Sequence, residues 1–403
     1  MIKKNFNTIS VHRGSKPDPQ TKALKIPIFS SNTFAYPNME EFFASAMHAY
    51  SPNLEEFTYF YTRTANPTTN ALEIKLASII GCEATLVTAS GMGAIAFGIL
   101  ANYKSGTKIL ASDSVYRSTN ALITETLPKL GIKYDYLDFR DLTSVERLLK
   151  NENYSVIHFE SPANPTLRCY DIKAVCDLVH EYNPESKIIF DNTFATPICQ
   201  RPLDLGVDFE IHSISKYING HGDALGGVIA TNDGKVLSEF RRNFGETLGQ
   251  IPSPFNSYLI LRGLKTIGLR VEKQCNNAFS VARFLENHEK VTNVYYPGLS
   301  SHPEHEIAVK QMHPFFGGMV AFELESDDKV RDLLNKKLQI IRLAMDLGDI
   351  QSLIEWPYIM THYDLDYDLK IATGVTEQLL RLSVGIEDVE DIIEDLNQAL
   401  SKI

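Results

Sequence analysis

The sequence predicts an α/β fold: a large domain on a mainly parallel sheet covered by helices on both faces, followed by a smaller C-terminal α/β domain. Three observations predict it. From about residue 67 to 231, short apolar runs alternate with stretches of helical periodicity, the pattern of strand–helix–strand units. The 403 residues provide for two or three domains around a large core. Each polar cluster singled out below between residues 67 and 231 falls at the carboxyl end of an expected strand, where sheets of this kind bind ligands.

Residues 1–60 carry Pro17, Pro19, Pro27, Pro37 and Pro52 and show no sustained periodicity. A segment that irregular does not fold alone. Ile26-Pro-Ile-Phe29 and the rings of Phe34, Tyr36, Phe42 and Phe43 give it apolar surface to bury. We expect an extended arm lying on a neighbouring subunit.

Residues 61–254 form the expected large domain. Leu72, Leu76, Ile79 and Ile80 share a helix face that Gly81 terminates. Ala84–Thr88 reads as a strand, and Ser90-Gly-Met-Gly93 opens the next helix. Further strands are expected at 108–111, 134–137, 156–159, 187–190, 207–211 and 228–230. Residues 235–285 look helical around a turn at Ile251-Pro-Ser-Pro254, and the C-terminal domain, 255–403, is placed from Phe255. It holds strands at 318–324 and 379–383 and a closing helix on which Val389, Ile392, Ile393, Leu396 and Leu400 recur.

Composition narrows the function. The net charge of −11 disfavours a nucleic-acid or anionic-membrane surface. Five cysteines, at 82, 169, 176, 199 and 275, form no CxxC pair, so they read as reduced thiols in a cytoplasmic protein and not as a metal site. Met1-Ile-Lys-Lys-Asn5 is followed by no apolar segment of a signal peptide, and no apolar run reaches membrane-span length.

The chemistry is organised around Ser213-Ile-Ser-Lys216-Tyr-Ile-Asn-Gly-His-Gly222. A lysine between hydroxyls and a glycine-rich turn is a poor helix and a poor strand but a good active-site loop. The hydroxyls of Ser213 and Ser215 suit phosphate oxygens, and the Lys216 amine suits a Schiff base with an aldehyde cofactor. The plain alternative is a surface lysine in a loop. Gly91 and Met92 stand at a strand-to-helix turn whose free amides make a phosphate cradle. Asp191 at a strand end suits a pyridine ring nitrogen, which it would keep protonated; the alternative is a helix cap. Asn164, between two prolines, is placed to donate to the ring's phenolate oxygen, or is part of a plain turn. Tyr116 suits ring stacking and proton transfer. Arg63, beside Tyr61, suits a phosphate, and Arg381, inside an apolar strand, needs an anionic partner: a substrate α-carboxylate or a structural carboxylate. No one of these decides the matter, but the ordered set is what a pyridoxal-phosphate enzyme requires.

These stretches also resemble one family, the pyridoxal-phosphate enzymes of cysteine and methionine metabolism. It includes cystathionine γ-synthase, cystathionine γ- and β-lyases, methionine γ-lyase and the O-acylhomoserine sulfhydrylases. The resemblance runs from Tyr61-Thr-Arg-Thr-Ala-Asn-Pro-Thr68 to Arg381-Leu-Ser-Val-Gly-Ile-Glu387. It takes in Ser90–Ile95, Asp191–Pro197, His212–Tyr217, Tyr296–Pro303 and Phe316–Met319. It implies an aminotransferase-like (fold type I) architecture, pyridoxal 5'-phosphate as cofactor, no metal, and a homotetramer of two tight dimers with shared sites. It implies Lys216 as the Schiff-base lysine, Asp191 on the ring nitrogen, Tyr116 stacking, and Gly91, Met92, Ser213 and Ser215 on the phosphate. Tyr61 and Arg63 would reach the neighbouring subunit's phosphate, and Arg381 would hold the substrate carboxylate.

Three departures touch the substrate end. Tyr116-Arg117-Ser118 stands where the family has Tyr-Gly and a small residue or Cys, Ser215 replaces a Thr, and Met345-Asp346-Leu347-Gly348 replaces Ser-Leu-Gly. Asp346 and Leu347 are therefore substrate-end candidates, with Arg117 as a charge partner for Asp346 or, alternatively, Asp346 as a local turn cap. The expected activity is a carbon–sulfur lyase acting on a sulfur amino acid, with Lys216 moving protons and Tyr116, assisted by Tyr61, protonating the leaving thiol. The alternatives are γ-replacement on an O-activated homoserine, an aminotransferase, and a non-catalytic pyridoxal-phosphate protein that binds an amino acid.

Overall fold

The structure, a computed structural model, describes residues 5–335 and 337–403; the first four residues of the expected arm lie outside them. Twelve strands occur among the described residues: β1 (Ala84–Thr88), β2 (Lys108–Ser112), β3 (Lys133–Leu137), β4 (Tyr154–Glu160), β5 (Lys187–Asp191), β6 (Phe209–Ser213), β7 (Gly227–Thr231), β8 (Val291–Tyr295), β9 (Met319–Leu324), β10 (Arg342–Leu343), β11 (Leu353–Glu355) and β12 (Leu379–Ser383). The chain divides into two compact units that interleave along the sequence. The described residues up to Gly106, with Lys187–Thr193 and Pro202–Gly268, make one; Thr107–Ser186, Phe194–Arg201 and Leu269–Ile403 make the other.

In the first unit the strand order is β1-β7-β6-β5. β5 and β6 are parallel, whereas β7 runs antiparallel to both β6 and β1. The sheet is therefore mixed here, for a physical reason. A parallel return needs a crossover, usually a helix; between β6 and β7 the chain makes only the turns that carry Lys216, so β7 returns antiparallel. Helix Gly91–Asn102 lies on this sheet: a methyl group placed on Gly98 would sit 3.4 Å from Ile211 Cδ1 and 3.6 Å from Ile189 Cδ1. Helix Pro67–Ile80 starts where Asn66 caps Thr68 N–H, with Pro67 at its first turn, and stops at Gly81 (φ 85°). Leu72, Leu76, Ile79 and Ile80 are all buried.

The arm is less irregular than its prolines suggest. Helices form at Phe6–His12 and Met39–His48, the second started by the Asn38 cap. Part of its apolar surface is covered by its own chain: Leu54 and Phe57 pack with Ala65 and Ala77. Thr68 Oγ1 donates to Pro27 O (3.0 Å) and accepts from Phe29 N–H (2.9 Å). Phe43 and Met47 remain exposed.

In the second unit β2 pairs in parallel with β3 and with β4. β4 is buried along its whole length, as a strand covered on both faces must be. A separate five-stranded sheet has the order β10-β11-β12-β9-β8 and is antiparallel except for β10 and β11. Helix Val389–Leu400 buries Ile392, Leu396 and Leu400 in that sheet's core, with Val389 and Ile393 partly buried beside them. The sequence reading did not resolve β8, β10 and β11; β8 lies at the sheet's edge with two of its residues exposed, which weakens its apolar pattern. Among the described residues no helix is long and apolar enough to cross a membrane, and no group of His, Cys, Asp or Glu could hold a metal ion.

Candidate active site

Two clusters of candidate residues form, one in each compact unit. The first gathers Ser90–Met92, Asp191, Ser213, Ser215 and Lys216. Ser90 caps helix Gly91–Asn102 by accepting from Gly93 N–H at 3.0 Å. The turn is packed so closely that only glycine fits. A methyl group on Gly91 would lie 2.7 Å from Ser213 Cβ, and one on Gly227 would lie 2.1 Å from Ser90 O. The strand-to-helix turn and the lysine loop are thus direct neighbours.

Asp191 ends β5, half-buried. Its Oδ1 accepts from Thr193 N–H (2.9 Å) and Thr193 Oγ1 (2.5 Å), and Thr193 Oγ1 in turn accepts from Ser213 N–H (2.9 Å). Burial pushes the Asp191 carboxyl above the ordinary carboxylate value, against the two bonds from Thr193 and the nearby His212. A carboxylate short of solvation and aimed from a strand end suits a protonated ring nitrogen. The Lys216 loop is closed by its own backbone, Gly220 N–H donating to Lys216 O at 2.7 Å, and by Ser215 Oγ, which accepts from Gly226 N–H at 3.0 Å. The Ser215 hydroxyl therefore braces its own loop. The residues present fit a phosphorylated pyridine: a glycine cradle, hydroxyls, a carboxylate and a half-buried lysine. Tyr61 and Arg63 are both exposed, with the Arg63 guanidinium 5.0 Å from the Tyr61 ring centroid.

The second cluster gathers Tyr116, Asn164, Asp346, Leu347 and Arg381. Arg381 is 3% exposed on β12. Its Nη1 donates to Asn164 Oδ1 (2.9 Å), and its Nη2 donates to Asp346 O (3.3 Å) and pairs with Glu355 Oε2 (3.0 Å). Its Nε is buried without a hydrogen-bond partner among the described residues. With Oδ1 engaged, the Asn164 amide has its NH2 group left to donate. Glu160 joins the remaining members: its Oε2 accepts from Tyr116 N–H and its Oε1 from Asn164 N–H, each at 2.8 Å.

At the departures from the family pattern, one contact is local and one is long-range. Asp346 Oδ1 accepts from Leu347 N–H at 2.7 Å. Arg117 makes a two-pronged pair with Asp364, its Nε 2.8 Å from Oδ1, and its guanidinium lies 5.1 Å from the Tyr363 ring centroid. The charge partner of Arg117 is therefore Asp364, a residue the sequence reading did not connect with it. His362, buried nearby, is held neutral: burial, then the charges of Arg381 and Lys370, bring it down to about 3.

Glu160, Thr193, Glu355 and His362 are site-region residues that sequence reasoning passed over. Glu355 carried a usable signal, since it is an acid inside the apolar run Leu353-Ile-Glu-Trp356 just as Arg381 is a base inside Leu379-Leu-Arg-Leu.

A fold of this kind with this residue set defines a pyridoxal-phosphate enzyme of the aminotransferase-like type. The chain belongs to the Cys/Met metabolism PLP-dependent enzymes, whose family model matches residues 7–401. It is 41% identical over 403 residues to an L-methionine gamma-lyase of Fusobacterium nucleatum subsp. polymorphum, covering 100% of this chain and 99% of that protein. It is 39% identical over 399 residues to a cystathionine beta-lyase of Coxiella burnetii, covering 99% and 98%. Among solved structures it matches a cystathionine gamma synthase from Xanthomonas oryzae pv. oryzae, in complex with aminoacrylate and cysteine, with a TM-score of 0.90, 32% identity and coverage of 99% and 98%. These curated relatives place it among the lyases of sulfur-amino-acid metabolism, and its cofactor is pyridoxal 5'-phosphate.

Proposed function

We propose that the protein cleaves a carbon–sulfur bond of a sulfur amino acid by α,γ-elimination, releasing a thiol and, with uptake of one water, an α-keto acid and ammonia. The observation that carries this reading is Arg381: buried, oriented by Asn164 and Glu355, and with Nε lacking a hydrogen-bond partner among the described residues, it is a receptor for an α-carboxylate. The curated L-methionine gamma-lyase relative supports elimination.

When bound, pyridoxal 5'-phosphate would supply an aldehyde function, held by Lys216 until the substrate amine displaces the lysine, and a ring able to take up electrons from Cα. Gly91, Met92, Ser213 and Ser215 hold its phosphate. Asp191 keeps the proton on its ring nitrogen, and Asn164 donates to its ring oxygen. Tyr116 would stack on the ring and deliver a proton to the departing sulfur. Lys216 removes the Cα proton and carries a proton to and from Cβ. Arg381 holds the carboxylate, which aligns the scissile bonds. Asp346, through its backbone carbonyl on Arg381, and Leu347 line the same end of the substrate. Tyr61 and Arg63, exposed at the end of the arm, reach the phosphate of a neighbouring subunit in a cytoplasmic homotetramer, and the partner subunit's Tyr61 assists Tyr116.

The test is a panel of methionine, cystathionine, homocysteine, cysteine and O-acylhomoserine, with keto acid, ammonia and thiol release measured. Borohydride fixation followed by peptide mapping should place the reduced cofactor on Lys216; an adduct on another lysine overturns the assignment. A second reading, γ-replacement, is favoured by the match to a cystathionine gamma synthase structure. It predicts turnover of O-acylhomoserine only when a thiol acceptor is added.

A further inference from the structure

Glu210, the second residue of β6, is 1% exposed. Its Oε1 accepts from two side chains at once, Asn192 Nδ2 at 2.8 Å and His212 Nε2 at 2.7 Å. Both donors are themselves buried, Asn192 at 0% and His212 at 1% exposure. A carboxylate so deep is costly unless its oxygens are bonded, and here one oxygen is the node of a three-residue cluster.

The position of that node is informative. Side chains alternate along a strand, so Glu210 and His212 face one side of the sheet and Ile211 and Ser213 the other. Ile211 is the register partner of Asp191 and packs under helix Gly91–Asn102. Asp191 and Ser213 thus belong to the helix side, and Glu210 lies on the reverse side. Yet its two donors are the covalent neighbours of those residues: Asn192 follows Asp191, and His212 precedes Ser213. On the helix side Thr193 Oγ1 ties Asp191 Oδ1 to Ser213 N–H. On the reverse side Glu210 Oε1 ties Asn192 to His212. The same two segments are cross-braced through both faces, at the point where β5 ends and only Asn192 N–H to Ile211 O continues the backbone pairing.

We propose that Glu210 is a positioning residue for the cofactor. From behind the sheet, its carboxylate fixes the spacing between Asp191 and the Ser213–Lys216 loop. The inference rests on the reading that these residues hold pyridoxal 5'-phosphate. A rigid ring with a phosphate at one edge and a nitrogen at another has a set span, and the groups that grip its two ends sit on two separate chain segments. Their separation has to be held before the ligand arrives if binding is to avoid the cost of ordering them. Thr193 supplies one tie. Glu210 supplies the other and prevents the segments from pivoting about the first.

The test uses Glu210→Gln and Glu210→Leu in the full-length protein. Four quantities are measured: the dissociation constant for pyridoxal 5'-phosphate by titration of the apoprotein, the visible absorbance of the loaded protein, the apoprotein melting midpoint, and kcat against KM. Losing a charge-assisted hydrogen bond corresponds to about a tenfold change in an equilibrium constant. Glu210→Leu is therefore expected to weaken cofactor binding about tenfold or more and to shift the absorbance band. Glu210→Gln, whose amide oxygen still accepts, is expected to rescue part of the affinity at an unchanged melting midpoint. kcat should fall with KM held, because Arg381 and Asn164 are untouched. If Glu210→Leu does not fold, Glu210→Gln decides by its dissociation constant and absorbance together. Wild-type values of both in the folded variants, with only the melting midpoint lowered, overturn the proposal and leave Glu210 a purely structural group. Absence of any Lys216 adduct in the unmodified protein overturns instead the cofactor reading on which it rests.

Discussion

Glu355 Oε2 lies 3.0 Å from Arg381 Nη2, and the two residues are register partners on the antiparallel strands β11 and β12. Both are almost fully buried, at 1% and 3% exposure. The arginine that sequence reasoning reserves for a substrate carboxylate therefore carries a structural carboxylate of its own. Glu355 balances the buried charge, while Nε stays without a hydrogen-bond partner among the described residues.

Removing one member of a buried pair leaves the other uncompensated, which costs about 3–5 kcal/mol. Glu355→Gln is expected to lower the stability of the ligand-free protein by an amount of that order. An added amino-acid substrate analogue should restore more stability to the variant than to the parent, because its carboxylate supplies the missing charge. Equal ligand-induced shifts of the melting midpoint in the two proteins would show that Arg381 does not meet the ligand.

His362 is expected to contribute to the acid limb of stability. Its folded value is brought from 6.5 to about 3, first by burial and then by Arg381 and Lys370. The unfolded chain takes up this proton as pH falls below 6.5, and the folded chain does not until about 3. Stability from this residue is thus complete above 6.5 and declines as pH falls through that window. In His362→Asn, the slope of unfolding free energy against pH over this range should be smaller by about one proton equivalent. Denaturant titrations at a series of pH values measure it.

Lys75 does the same on the alkaline side. Its Nζ donates to Ser10 O at 2.6 Å, in the last turn of helix Phe6–His12. Burial, helped by Lys265 and Lys25, lowers it from 10.5 to about 8. Between pH 8 and 10.5 the unfolded chain keeps a proton that the folded chain has released, so stability rises with pH there. Lys75→Met is expected to flatten that rise; a parent-like slope in the variant would assign it to other groups.

Asp346→Ser is expected to leave the order of catalytic efficiencies across the substrate panel unchanged. The Asp346 side chain caps Leu347 N–H, and a serine hydroxyl can accept the same bond, so the stability change should stay within about 1 kcal/mol. A shift of preference from polar or cationic tails towards simple thioethers would instead show that the carboxylate meets the substrate.

What was legible in the sequence was whatever is encoded within a few consecutive residues. Ser90–Gly93, Asp191–Thr193 and Ser213–Gly222 each carry their chemistry in one turn after one strand, so strand–helix alternation alone put them at strand ends, and the glycines marked where backbones come close. The family motifs are local for the same reason. The tertiary structure alone decided which distant groups meet. Strand register sets Glu355 opposite Arg381, the side-chain alternation of β6 sends Glu210 behind Asp191, and the two oxygens of Glu160 join Tyr116 to Asn164. Asp364, not Asp346, takes the charge of Arg117. Periodicity reports which face of an element is buried but not what lies across from it, and the pairing of a buried charge depends on a few ångströms of cross-strand geometry that no local pattern encodes.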